Sequence, residues 1–111
     1  MAKPSQGELL QGTLPLLILR TLATGPNHGF AIARRIQQIS KSVLRIEQGS
    51  LYPALHRMEL SGLIESYWGT TENNRKAKYY RLTRRGTRAL ASETERWHSI
   101  AGAIAAVLQE G

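Results

Sequence analysis

Between Arg75 and Arg88 the sequence places seven cations, Arg75, Lys76, Lys78, Arg81, Arg84, Arg85 and Arg88, with no acidic residue among them. Guanidinium and ammonium groups at that density suit a polyanion, because each can neutralise a phosphate or donate to an acceptor. A second set, Ser50, Tyr52, Pro53, His56 and Arg57, lies on the helix face opposite Leu51, Leu55 and Met58 if this stretch is helical. Hydroxyls at a helix N-terminus suit phosphate contacts, and Arg57 can donate to phosphate or to a guanine edge. Taken alone, His56 and Arg57 read equally as a solvated face. A third set, Asn73, Asn74, Arg75, Lys76 and Lys78, combines residues that tolerate a tight turn with cations beside it.

Catalytic chemistry finds no comparable constellation. His28, His56 and His98 lack metal-ligand spacing, no glycine-rich phosphate loop occurs, and no serine sits in a nucleophile-elbow pattern. The carboxylates Glu8, Glu47, Glu59, Glu65, Glu72, Glu93, Glu95 and Glu110 are dispersed among basic neighbours and read as solvated or salt-bridging groups. The sequence therefore predicts neither an enzyme, nor a metal site, nor a cofactor.

The elements that position these groups follow from periodicity. Leu14, Leu17, Ile18 and Leu22 fall at helical spacing after Thr13, a candidate N-cap, with Pro15 in the first turn and Gly25 beyond the end, so a first helix is expected over Leu14 to Thr24. Residues before Thr13 are expected to form a separate arm. Asn27 is the expected cap of a second helix ending near Ser40, in which Phe30, Ala33 and Ile36, or else Ile32, Ile36 and Ile39, share a stripe and Arg34 and Arg35 face solvent. Val43 to Ile46 is a candidate minor strand. A third helix is expected from Ser50 or Leu51 to Leu60, closed by Gly62.

Leu63 to Trp68 and Lys78 to Leu82 are rich in β-branched and aromatic residues and predict a β-hairpin whose tip is Gly69 to Ala77. Thr83 then caps a long helix reaching about Leu108, with Leu90, Trp97, Ile100, Ile104, Val107 and Leu108 along one side. The expected fold is mainly α with a small β-hairpin, a winged helix-turn-helix over residues 1–82 followed by a long C-terminal dimerisation helix over 83–111.

That plan assigns the third helix to the major groove of double-stranded DNA, with the hairpin as a wing along the phosphate backbone. The apolar side of the last helix predicts a homodimer, the competing reading being that it folds back on its own domain. Charge agrees: 15 Lys and Arg against 8 acidic residues give +7 in 111 residues, one domain's length. The absence of cysteine excludes disulfides and thiolate chemistry. The longest apolar run, Leu14 to Leu22, is far short of the ~20 residues that span a bilayer, and the N-terminus carries no secretion signal, so a cytoplasmic protein is expected. A winged helix that docks on a protein partner is the alternative, since fold alone does not fix function.

Gln48-Gly49-Ser50-Leu51-Tyr52-Pro53-Ala54-Leu55-His56-Arg57-Met58-Glu59, followed by Gly62-Leu63-Ile64, resembles the signature of the PadR family of transcription regulators. Leu10 to Leu14, His28-Gly29-Phe30, Lys78 to Thr83 and Gly86 extend the resemblance over nearly the whole chain. It implies a homodimeric repressor that dimerises through the C-terminal helix with help from the first, binds inverted-repeat operators and is often released by a small molecule. The single C-terminal helix is similar to the small subfamily. The resemblance also implies DNA contacts from Gly49 to Pro53, the helix that follows and the wing, and gives Gln48, Gly49, Ser50, Tyr52, Pro53, His56, Arg57, Asn74, Arg75, Lys76 and Lys78 as the candidate set. Some relatives bind flat aromatic compounds between paired tryptophans of the last helix, a part only Trp97 can take here, although interface burial is its other expected fate. Phe30 stands where a phosphate-contacting Tyr is common, and Pro15 where an acidic residue is common.

Overall fold

The computed structural model describes residues 12–110, so the expected arm and the start of the first motif lie outside the described residues. Helix α1 covers Leu14–Leu22, with Thr13 at the N-cap and Pro15 in the first turn, where no intrahelical N–H partner is lost. It ends two residues earlier than its apolar pattern suggested, at an Ala23 cap. A two-residue strand β1, Asn27–His28, leads into α2, Gly29–Ile39.

Two sequence expectations change here. The cap of α2 is His28, not Asn27: the imidazole Nδ1 accepts the Ala31 N–H at 3.3 Å while Asn27 pairs with Tyr80 in the sheet. Of the two candidate stripes of α2, Ile32 and Ile36 are buried, whereas Phe30 and Ile39 are exposed. Arg34 and Arg35 face solvent as expected.

Val43 to Ile46 forms no strand. Lys41 and Ser42 both adopt left-handed backbone (φ 52° and 65°), and the Ser40 hydroxyl accepts the Leu44 N–H at 3.0 Å while its carbonyl accepts that of Val43, so the segment starts in a turn. Helix α3, Gln48–Leu60, starts two residues before the expected Ser50 because the Glu47 carbonyl accepts the Ser50 and Leu51 N–H groups. It closes in a Schellman arrangement: Gly62 is left-handed (φ 76°), Gly62 N–H donates to the Glu59 carbonyl and Leu63 N–H to that of Met58.

Strands β2 (Ile64–Thr70) and β3 (Lys76–Leu82) pair antiparallel, and β1 adds to the other edge of β3. They run further than expected, leaving Thr71 to Arg75 as the loop. Asn74 takes the left-handed position (φ 61°), and the Thr71 hydroxyl accepts the Arg75 N–H at 3.1 Å. Thr83 caps the final helix α4, Arg84–Glu110: its Oγ1 accepts the Gly86 N–H at 3.0 Å and lies 2.6 Å from the Gly62 carbonyl, to which it donates. Gly86 allows that approach, since a Cβ there would collide with the Leu63 carbonyl oxygen.

Ile18 and Leu19 of α1, Ile32 of α2, Leu51 and Leu55 of α3 and Ile64 of β2 form the fully buried centre. Helices α1 to α3 and strands β2 and β3 supply that cluster, whereas α4 adds only Ala89 and Leu90 at its margin. Twenty-seven residues of helix span about 40 Å, which accounts for the elongated 53 × 33 × 22 Å shape. Among the described residues no helix is long and apolar enough to cross a membrane.

Candidate nucleic-acid interface

Helix α3 divides its residues by period. Leu51, Ala54, Leu55 and Met58 enter the core, which leaves Gln48, Gly49, Tyr52, Pro53, His56 and Arg57 exposed and Ser50 half-buried. Pro53 lies inside the helix on its outer face and has no N–H to give the Gly49 carbonyl, at a residue that is itself exposed to solvent. The Tyr52 ring lies over the first residue of α2: a Cβ on Gly29 would meet it at 2.8 Å. Glycine at that position therefore lets the two helices meet and holds the Tyr52 ring against the start of α2.

The hairpin has two unlike faces. On one, Ile64 and Leu82, Ser66 and Tyr80, Trp68 and Lys78, and Thr70 and Lys76 are register partners; Ile64 and Tyr80 are buried, so this face turns toward the domain. Beyond the core the same face becomes polar and aromatic, with the Lys76 ammonium 5.0 Å from the centroid of the exposed Trp68 ring. On the other face Tyr67 stacks on Tyr79 at 5.7 Å, Arg81 lies over Tyr67 and pairs with Glu65 at 2.8 Å, and the Tyr79 hydroxyl donates to the Thr70 carbonyl. The edge of His28 meets the Tyr79 ring at 5.5 Å, which ties the wing to the start of α2.

Between wing and helices lies a cleft of about 840 Å³ lined by His28, Phe30, Arg34, Tyr52, Trp68 and Lys76, among others. Arg75 and Lys78 also reach it. The structure thus brings Tyr52 of α3 and the wing cations to one cleft, while His56 and Arg57 lie on the exposed side of α3, one turn further along, and do not line it. Asn74 sits exposed at the tip.

Lys78 differs from its neighbours. Its ammonium lies 3.6 Å from Glu59 Oε1, and Glu59 Oε2 accepts the Ser66 hydroxyl at 2.6 Å. Beneath them the Tyr80 phenol is held above its ordinary value, first by burial and then by the Glu59 and Tyr52 charges. Sequence reading set Glu59 aside as one dispersed carboxylate and missed Ser66, Trp68 and Arg34. The alternation of β2 was the available signal, since Ile64, Ser66 and Trp68 must share a face.

On α4, Leu90 packs against its own core, while Trp97, Ile100, Ile104, Val107 and Leu108 are 46–75% exposed. Trp97 also borders an apolar recess of about 430 Å³ with Leu16, Leu17 and Arg20 of α1, Leu44 and His98. Among the described residues no group of three or more His, Cys, Asp or Glu could hold a metal ion.

Helices α1 to α3 followed by a paired hairpin define a winged helix-turn-helix protein. The profile of the Transcriptional regulator PadR-like family matches residues 18–92, and the chain belongs to that family. It is 34% identical over 86 residues to a transcriptional regulator of Mycobacterium tuberculosis, covering 78% of this chain and 77% of that protein. Its fold is similar to a PadR family transcriptional regulator from Eggerthella lenta (TM-score 0.75, 32% identity, 94% of this chain and 88% of that one). A transcriptional regulator from Clostridium thermocellum superposes with a TM-score of 0.79 at 29% identity, over 87% of this chain and 94% of that one. The protein is accordingly a transcriptional regulator of the PadR family.

Proposed function

We propose that this regulator is a cytoplasmic repressor that binds an inverted-repeat operator in double-stranded DNA as a homodimer and is released by a small-molecule effector. The observation that carries DNA binding is the shared cleft: Tyr52 of α3 and Arg75, Lys76 and Lys78 of the wing border one opening, without a net acidic charge to oppose a phosphate backbone. In this reading α3 enters the major groove with Gln48 to Pro53 leading and His56 and Arg57 following. The wing cations lie along the adjacent backbone. Residues 1–82 form the DNA-binding unit and 83–111 the dimerisation helix.

The homodimer rests on the exposed stripe from Trp97 to Leu108, which is apolar over three turns and finds no cover among the described residues. A twofold axis there sets two copies of α3 to read successive major grooves about 34 Å apart. The effector reading rests on the recess at Trp97, apolar and adjacent to the same stripe. A Trp97→Ala variant that binds DNA normally and ignores the effector locates the sensor there; an unchanged response excludes it.

Fluorescence anisotropy of the DNA upstream of the protein's own gene, against a scrambled duplex of equal length, tests the DNA reading. The expected result is at least about tenfold tighter binding of the upstream duplex at 200 mM salt, with affinity falling steeply from 50 to 200 mM. Equal, salt-insensitive binding of both duplexes overturns it.

A further inference from the structure

We infer that Glu59 is a specificity-determining positioning residue, whose carboxylate braces the wing against α3 through Ser66 and Lys78 and withholds Lys78 from non-specific phosphate contact. This rests on the DNA-binding reading above and adds to it a residue of the opposite charge.

Glu59 stands in the last turn of α3, half-buried, where β2 and β3 both reach it: the Ser66 hydroxyl donates to Oε2 at 2.6 Å and the Lys78 ammonium lies 3.6 Å from Oε1. The wing's other ion pair, Arg81 with Glu65, has both of its members on the wing's outer face. The Glu59 carboxylate thus adds a polar brace between the recognition helix and the wing to the core packing of Leu55 and Met58 with Ile64 and Tyr80. A hydrogen bond of 2.6 Å to a carboxylate is charge-assisted and directional, so it fixes the distance from the end of α3 to the middle of β2. Without it, the hairpin toward its tip is joined to the helices by the β1–β3 pairing, Asn27 with Tyr80 and His28 with Tyr79, and by the ring contact of His28 with Tyr79.

The charge has a second consequence. Arg34, Arg75 and Lys76, the other Lys and Arg residues of the cleft, form no ion pair among the described residues, so Lys78 is the one that already faces a carboxylate. A cation free to meet any phosphate raises affinity for all sequences alike, whereas one pinned to the protein does not. Holding Lys78 on Glu59 thus lowers sequence-independent binding while keeping wing and helix in register for the operator.

The test is a double-mutant cycle, Glu59→Gln, Lys78→Gln and the pair together, with Kd for operator and scrambled duplex measured between 50 and 200 mM salt. Gln keeps an acceptor for Ser66 and removes only the charge. Glu59→Gln is expected to tighten scrambled-duplex binding and steepen the log–log salt slope by about 0.9, an extra loss of roughly 3-fold in affinity across that range. The ratio of operator to scrambled affinity falls, and the double variant returns to the wild-type slope. If Lys78 instead meets phosphate directly, Glu59→Gln leaves the slope unchanged while Lys78→Gln and the double variant both lower it by about 0.9, and the inference fails. A wild-type protein that binds neither duplex overturns the DNA-binding reading itself, an outcome separate from either slope pattern. Thermal melts of each variant separate loss of fold, which weakens binding to both duplexes, from the expected gain on scrambled DNA.

Discussion

Helices α3 and α4 both carry an apolar stripe, and the chain treats them in opposite ways. In α3 the stripe is Leu51, Ala54, Leu55 and Met58, every member buried by α1, α2 and β2. In α4 Gly86 is the one buried residue, and the apolar positions from Trp97 onward stay open to solvent. The contrast shows which parts one chain completes by itself. The orientation of α3 relative to the wing is fixed by the chain's own core, whereas the outer half of α4 is left uncovered among the described residues.

Substituting within each stripe breaks the comparison at its two ends. Leu55→Ala leaves a void at the centre of the core and is expected to cost about 2–5 kcal/mol of folding stability, read from urea denaturation. A loss under about 1 kcal/mol would mean that the core does not depend on α3 as described. Ile100→Ser with Ile104→Ser, by contrast, should leave helical circular dichroism in place and raise the dissociation constant of the dimer at least about 30-fold, measured by sedimentation equilibrium. Collapse of the helical signal would instead make this stripe part of the chain's own fold.

The junction between the two regions should respond less. Thr83→Ala removes the cap of α4 and its bond to the Gly62 carbonyl, for an expected loss of about 1 kcal/mol, whereas Thr83→Ser keeps both and should lose a few tenths. Equal losses in the two variants would show that the hydroxyl is not the source.

The smallest expected effect sharpens the helix-to-wing contact. Tyr80 keeps its proton in the fold at pH values where the unfolded chain has begun to lose it, because burial and then Glu59 hold its phenol above 10.0. Its contribution is therefore complete below about pH 10 and fades as pH rises through the higher folded value. Tyr80→Phe should flatten that alkaline decline in urea midpoints measured from pH 9 upward, and an unchanged decline assigns it to other groups.

Much of this is legible in the sequence. Leu51, Leu55 and Met58 at helical spacing foretold which side of α3 is buried, and Thr83 announced its own helix, because capping and periodicity are local properties. Features set by distant partners were not legible. Strand β1 is two residues long and exists only because Tyr79 and Tyr80 offer an edge; that pairing also moved the cap of α2 from Asn27 to His28. The candidate strand at Val43 to Ile46 met the β-propensity rule but lost to the left-handed Lys41 and Ser42 and to the Ser40 hydroxyl. In the candidate site the cations and the exposed face of α3 were foreseen, but Glu59 was not, since its importance depends on Ser66 and Lys78 arriving from two strands.

The most direct measurement of the central contrast is the mass of the protein in solution by sedimentation equilibrium, alone and on a single operator duplex. The account predicts a species of twice the 12.4 kDa chain mass at concentrations near 10 μM and two chains per duplex. A single-chain mass persisting to about 100 μM, with one chain per duplex, would contradict it.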